Sequence, residues 1–185
     1  MFTASQIKKT NVAEYLLYMW QIEDLIRAYD FDIDKIDENI ISRYTSLSDD
    51  QRSQLRGWYE SLIDMMLREG VKSSGHIQLN KSVVSDMRAL HDRLLKDPRF
   101  ADYSAEFYRT LPFIVELRAK AGENKAGEIE SCFNALYGVM LLRLQKKEIS
   151  SETQQAIAQI SRFIATLNNL YMKDLRNELF TEDEI

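Results

Sequence analysis

The chain has 185 residues, a formal net charge of −5, 45% hydrophobic residues and 29% charged residues. A chain of that size buries roughly 70% of its unfolded surface, so it needs no metal or disulfide staple, and the balance is globular and not disordered. The acidic surplus argues against nucleic-acid binding, where neutralised phosphates supply most of the affinity, and the single Cys132 excludes an internal disulfide and a Cys-rich zinc site.

Only 6 Gly and 2 Pro are present, which favours long helices over many short strands. The start, Met1 to Lys9, has no apolar core behind a basic opening, so no signal peptide is expected. No apolar run approaches the ~18 residues of a membrane span, and Arg143 interrupts the densest stretch, Val139 to Leu144. The expectation is a cytoplasmic protein with no membrane partner.

A first helix is predicted from Asn11, as N-cap, to Tyr29. Val12, Tyr15, Leu16, Met19, Ile22, Ile26 and Tyr29 recur at helical spacing, and Leu17, Tyr18, Trp20 and Leu25 widen the stripe. A helix this apolar belongs near the middle of a fold. After the acidic run Asp30 to Asp34 comes a short helix to about Tyr44. Ser48 with Gln51 forms a capping box for the next helix, whose apolar face is Leu55, Trp58, Tyr59, Leu62, Ile63 and Met66 and whose end is Gly70.

The segment Ser73-Ser74-Gly75 reads as a loop, and a helix opens near Asn80 with Val83, Val84, Met87, Leu90, Leu94 and Leu95 inward. Asp97-Pro98 stops it. In the segment Ala101 to Ala121, Pro112 predicts a break, with Thr110 capping the second piece and Gly122 ending it. A helix from about Lys125 to Lys147 presents Ile129, Cys132, Phe133, Leu136, Tyr137, Met140 and Leu144. Its small residues, Gly127, Ser131, Ala135 and Gly138, predict close approach of another helix on the other side. Ser151 with Gln154 caps a last helix with Ile157, Ile160, Ile164, Leu167 and Tyr171 at near-heptad spacing.

No segment alternates apolar and polar residues, so the expected fold is all-α, a single-domain multi-helix bundle of about six to eight helices with no sheet. The domain is taken as 1–177, and 178–185 as a frayed acidic tail carrying Glu178, Glu182, Asp183 and Glu184.

Asp30, Asp32 and Asp34 match the first ligand positions of a calcium loop, but Lys35 stands where its turn needs Gly and Ile41 where its bidentate Glu belongs. Carboxylates that complement a helix N-terminus are the simpler account. Neither His76 nor His91 has a carboxylate three residues earlier, which excludes the paired Glu-x-x-His di-metal pattern. No metal and no cofactor are expected. His91 shares a face with Met87, Leu94 and Leu95 and reads as a core histidine with one partner, while His76 reads as a loop residue, capping or exposed. No phosphate loop, nucleophile elbow or zinc-protease pattern is present. Cys132 reads as a buried structural thiol.

Charges on apolar faces are more informative. Glu23 lies on the stripe of Leu16, Met19, Trp20 and Ile26, with Arg27 placed to pair with it at i,i+4. Arg143 is expected inward between Met140 and Leu144, and Glu116 and Arg118 flank Leu117. Such charges need partners if buried. They form either a structural ion-pair network or a polar pocket for a small anion or metabolite. In the pocket reading Trp20, Trp58 and Tyr137 are walls, and the ligand-binding candidates are Glu23, Arg27, Trp20, Trp58, Glu116, Arg118, Tyr137 and Arg143.

The strings NVAEYLLYMWQ at 11–21, TLPFIVELRAKAG at 110–122, FNALYG at 133–138 and LRLQKKEIS at 142–150 resemble a family of small bacterial proteins typical of the Bacteroidetes, a domain of unknown function. The likeness spans nearly the whole chain. It implies a stand-alone cytoplasmic helical protein and carries over no catalytic residue.

The expected function is a non-enzymatic interaction or regulatory protein that self-associates, as a homodimer, through the near-heptad last helix; packing of that helix within its own bundle is the plain alternative. The competing function is a ligand-binding or enzymatic bundle that uses the charged faces. Nucleic-acid binding through Lys8, Lys9, Arg143, Lys146 and Lys147 ranks below both.

Overall fold

The computed structural model describes residues 2–120 and 126–180, and among these the chain is all-α, with eight α-helices and no strand. The helices are α1 (Phe2–Thr10), α2 (Val12–Ala28), α3 (Ile33–Asn39), α4 (Asp49–Arg68), α5 (Gln78–Leu94), α6 (Ala101–Lys120), α7 (Glu128–Leu144) and α8 (Ser151–Asp174), with 3-10 turns at Ile41–Arg43 and Pro98–Phe100. None of them is long and apolar enough to cross a membrane. Expectations that fell on Ala121, Gly122, Lys125, Glu182, Asp183 and Glu184 lie outside the described residues. The described residues gather into two compact units, one within 1–9 and 14–82, the other within 10–13 and 83–185.

In the first unit α2 buries Tyr15, Leu16, Met19, Trp20, Ile22 and Ile26, as its wide stripe requires. Its C-terminal turn closes with Phe31 N–H donating to the Ile26 carbonyl at 3.0 Å, and it sets Asp30 and Phe31 at φ 55° and 63°. Two side-chain-bearing residues in the left-handed region are costly. They send the chain directly into α3, where Asp32 accepts from the Asp34 and Lys35 amides. The acidic run therefore divides: Asp32 caps α3, and Asp34 joins Asp37 on the Arg56 guanidinium, each at 2.7 Å. Those backbone amides, the Lys35 amide first, hold the Asp32 carboxyl below its ordinary range.

The Ser48–Gln51 capping box forms as expected. At the far end of α4, Gly70 adopts φ 69°; its N–H donates to Leu67, while the Val71 N–H reaches back to the Met66 carbonyl at 3.0 Å. This is a Schellman closure, in which glycine occupies the left-handed position without steric cost. The helix α1 was not expected, because its short polar segment shows little apolar periodicity. It buries Ala4, carries Lys8 and Lys9 in its last turn, and lays the Lys8 ammonium 5.1 Å from the Tyr15 ring.

In the second unit α8 packs on α6 and α7. The near-heptad residues Ile157, Ile160, Ile164, Leu167 and Tyr171 are all buried there, so the seam expected for a dimer is consumed inside the unit. The cap of α8 is Ser150, which accepts from the Thr153 amide, and not Ser151; the Gln154 side chain donates to the Ile149 carbonyl instead.

Pro112 does not break α6, which runs unbroken to Lys120. Proline removes one helical hydrogen bond, but Tyr103, Phe107, Thr110 and Ile114 form a continuous buried stripe across it. Burial of that stripe outweighs the lost bond. Thr110 is not a cap: its hydroxyl donates to the Glu106 carbonyl at 2.8 Å, and the Gln159 amide of α8 donates to Thr110 Oγ1 and Glu106 Oε1 at 3.1 and 2.8 Å.

α7 departs most from expectation. Ile129, Cys132 and Phe133 are buried, but Leu136, Tyr137 and Met140 are half-buried, and Leu144 is 61% exposed. Arg143, expected inward, is exposed, because the helix has left its packing by that turn and Lys146 ends it at φ 55°. The small-residue side does not hold a closely packed helix at Gly138, where a Cβ would meet nothing within 4 Å.

Cys132 is fully buried, and burial, with Glu128 adding to it, pushes its thiol up to about 12. A thiolate-seeking reagent at neutral pH should leave the folded protein unlabelled and modify Cys132 fully in denaturant. Rapid labelling without denaturant would contradict this placement.

Candidate functional site

Glu23, near the middle of α2, is the most deeply buried acid among the described residues, with no solvent exposure. An ionised carboxylate there must be hydrogen-bonded at both oxygens to be tolerated. Oε1 accepts from the Ile77 backbone N–H at 3.1 Å and from Asn80 Nδ2 at 2.7 Å. Oε2 lies 2.5 Å from His76 Nδ1. The His76 ring lies flat on the Trp20 indole, with centroids 4.0 Å apart and planes 10° from parallel. Stacking and hydrogen bonding together fix the imidazole in orientation, and with Nδ1 turned to the carboxylate, Nε2 is the nitrogen left for solvent or a ligand. The His76 side chain is 23% exposed.

The same carboxylate serves as a cap. Ile77 immediately precedes α5, whose first N–H groups lack intrahelical partners. Glu23 takes the Ile77 N–H, and Glu69, at the C-terminal cap of α4, takes the Gln78 N–H at 2.5 Å. Negative charge at this end also suits the helix dipole. Asn80 Oδ1, by contrast, is buried with no hydrogen-bond partner among the described residues.

Arg27 does not pair with Glu23. Its Nη1 donates to Asp24 at 2.7 Å, and its Nε and Nη2 reach the Val71 carbonyl at 3.4 and 3.1 Å; Nη2 also bonds the Gly75 carbonyl. Glu23 points into the unit, where nearer donors take it, while Arg27 lies one turn further on and clamps the loop before His76. Trp58 lies on α4, half-buried and edge-on to Tyr59 at 5.1 Å.

The remaining candidates belong to the second unit. Glu116 pairs with Lys120 at 2.7 Å, and Arg118 with Glu128 at 3.8 Å. Tyr137 is half-buried, and Arg143 is exposed with no ion pair among the described residues. Of the residues singled out from the sequence, the structure brings Glu23 and Trp20 together, on His76, with Asn80 beside Glu23; neither His76 nor Asn80 was among the candidates. Asn80 gave one usable signal: a polar side chain in register with Val83, Met87 and Leu94 calls for a buried partner.

Also in the second unit, His91 is buried as expected, 2.6 Å from the Tyr103 hydroxyl and edge-on to Phe107 at 4.7 Å and Phe163 at 5.9 Å. Its Nε2 has no partner among the described residues. Burial lowers the imidazole pKa and outweighs the attraction of Asp92 and Glu128. The folded protein thus keeps the ring neutral, while the unfolded chain takes up a proton at the ordinary value of 6.5. The contribution of His91 to stability is complete above that value and is lost as pH falls below it toward the depressed folded pKa. In an NMR titration, the His91 ring, assigned by its contacts to Phe107 and Phe163, should keep its neutral shifts where a free imidazole is already protonated. A midpoint at or above 6.5 would contradict this environment.

No curated protein matches the chain, and no solved structure does. A family described as Domain of unknown function (DUF4924) matches residues 1–178 of the 185. The likeness carried by the segments at 11–21, 110–122 and 133–150 thus extends over nearly the whole chain, and the protein belongs to the DUF4924 family, a domain of unknown function.

Proposed function

We propose that this protein is a non-enzymatic interaction protein of the bacterial cytoplasm that works by self-association. The observation that carries the reading is the second half of α7, where Met140, Leu141 and Leu142 are half-buried and Leu144 is 61% exposed. An isolated exposed leucine needs no explanation, but a run of apolar residues left partly open along one helix end marks an interaction surface. The charges within the apolar faces point the same way. Glu23 and Arg27 close on partners in their own unit, whereas Glu116 and Arg118 make solvent-exposed pairs. Closed pairs favour structural roles over a charged ligand pocket.

A second reading rests on His76. Its Nε2 makes no hydrogen bond among the described residues, and its ring is held rigid by Glu23 and Trp20. A fixed imidazole edge at the surface offers a seat to a small ligand that donates a hydrogen bond.

Native mass spectrometry of gently purified protein separates the two. The interaction reading predicts dimers whose fraction rises with concentration and that carry no extra mass. A stoichiometric adduct that is lost on His76→Ala would support the second reading. A bare monomer at every concentration would remove the self-association reading.

A further inference from the structure

We propose that the groove between α6 and α8 receives the α7 end of a second copy of this chain, in a reciprocal two-fold pair; this deepens the self-association reading and rests on it. The groove has a volume of about 350 Å³ and a floor built from Phe113, Leu117, Ile157 and Ile160. That is room for one large apolar side chain and part of another, too small to seat a whole helix face.

The rim decides what kind of side chain enters. Glu116, Lys120 and Glu152 line it. The Lys120 ammonium is bonded to Glu116 at 2.7 Å, and Glu152 acts on the same ammonium, so both carboxylates share one cation. The rim keeps a surplus negative charge beside an apolar floor. Its complement is an apolar side chain with cations flanking it.

The chain carries that complement itself. Leu144 is 61% exposed, with exposed Arg143 before it and exposed Lys146 and Lys147 just after. Lys146 at φ 55° halts the helix there, so Leu144 stands on a blunt end that can enter a short groove without a clash from further helical turns. Leu144 enters the apolar floor, and Arg143 with the lysines meets Glu152 and Glu116. Each copy owns one groove and one α7 end, so a two-fold axis satisfies both at once and the assembly closes at a dimer.

The full-length protein is examined by sedimentation and native mass spectrometry as wild type, Leu144→Gln, Arg143→Glu, Glu152→Lys and the double variant Arg143→Glu/Glu152→Lys, with circular dichroism to confirm folding. All these positions are exposed, so the fold is expected to survive each change. The proposal expects the wild type to dimerise and each single variant to weaken the dimer by about tenfold or more, and it expects the double variant to recover most of that loss. A dimer that no single variant weakens would place the contact elsewhere and overturn this proposal while leaving self-association standing. A double variant as weak as the two changes combined would show that these charges do not face each other, and would overturn it too. A wild type that stays monomeric would overturn both.

Discussion

The first unit depends on one buried carboxylate. Glu23 reaches from α2 to a segment more than fifty residues away and binds three groups there: the Ile77 amide, the Asn80 side chain and His76. The segment that enters α5 would otherwise arrive as a loop with unsatisfied N–H groups. With Glu23 in place, that loop becomes the start of a helix. Arg27, one turn further along α2, holds the preceding carbonyls of Val71 and Gly75. One helix face thus supplies an anion for the amides and a cation for the carbonyls of the same loop. Burying such charges is costly, and here the cost is offset because every oxygen of Glu23 and most of the Arg27 fork have partners.

A related device recurs in the second unit. Asn168 of α8, itself buried, accepts from the Ala13 amide in the first turn of α2 at 3.0 Å. Helices α3, α4 and α8 take caps from adjacent residues, and the starts of α2 and α5 draw on side chains distant in sequence as well. This difference explains what could be read in advance. Ser48 and Gln51 lie three residues apart, so their box is written locally. Glu23 and Asn80 are joined only by folding, and each alone reads as a polar intrusion on an apolar stripe.

Pro112 and α7 show the same division between local and tertiary information. The local rule breaks a helix at proline, yet the buried stripe from Tyr103 to Ile114 continues through it and Gln159 ties that turn to α8. The apolar pattern of α7 extends to Leu144, but pattern alone cannot say how far the covering elements reach. The charge on Arg143 was read as a buried site candidate, when it marks the point where the helix emerges. The all-α class was legible because it follows from periodicity summed over the chain. The Glu23 cluster was half legible: Glu23 and Trp20 stood out by their place on an apolar stripe, while His76, in a loop rich in small polar residues, did not. In the proposed reading, the open α7 end is the working surface, and His76 is the partly exposed imidazole held against the Glu23 cluster.

The most direct test of this account is the unfolding free energy of Glu23→Ala, measured with urea against the wild type. Removing the carboxylate leaves the buried Ile77 N–H and the Asn80 amide without their acceptor, at about 1–3 kcal/mol for each unsatisfied group, and the account predicts a loss of that order, with α5 the first helix to lose amide protection. A loss below about 0.5 kcal/mol, the range of ordinary surface substitutions, with the Ile77 amide still protected, would mean that Glu23 does not hold this unit together.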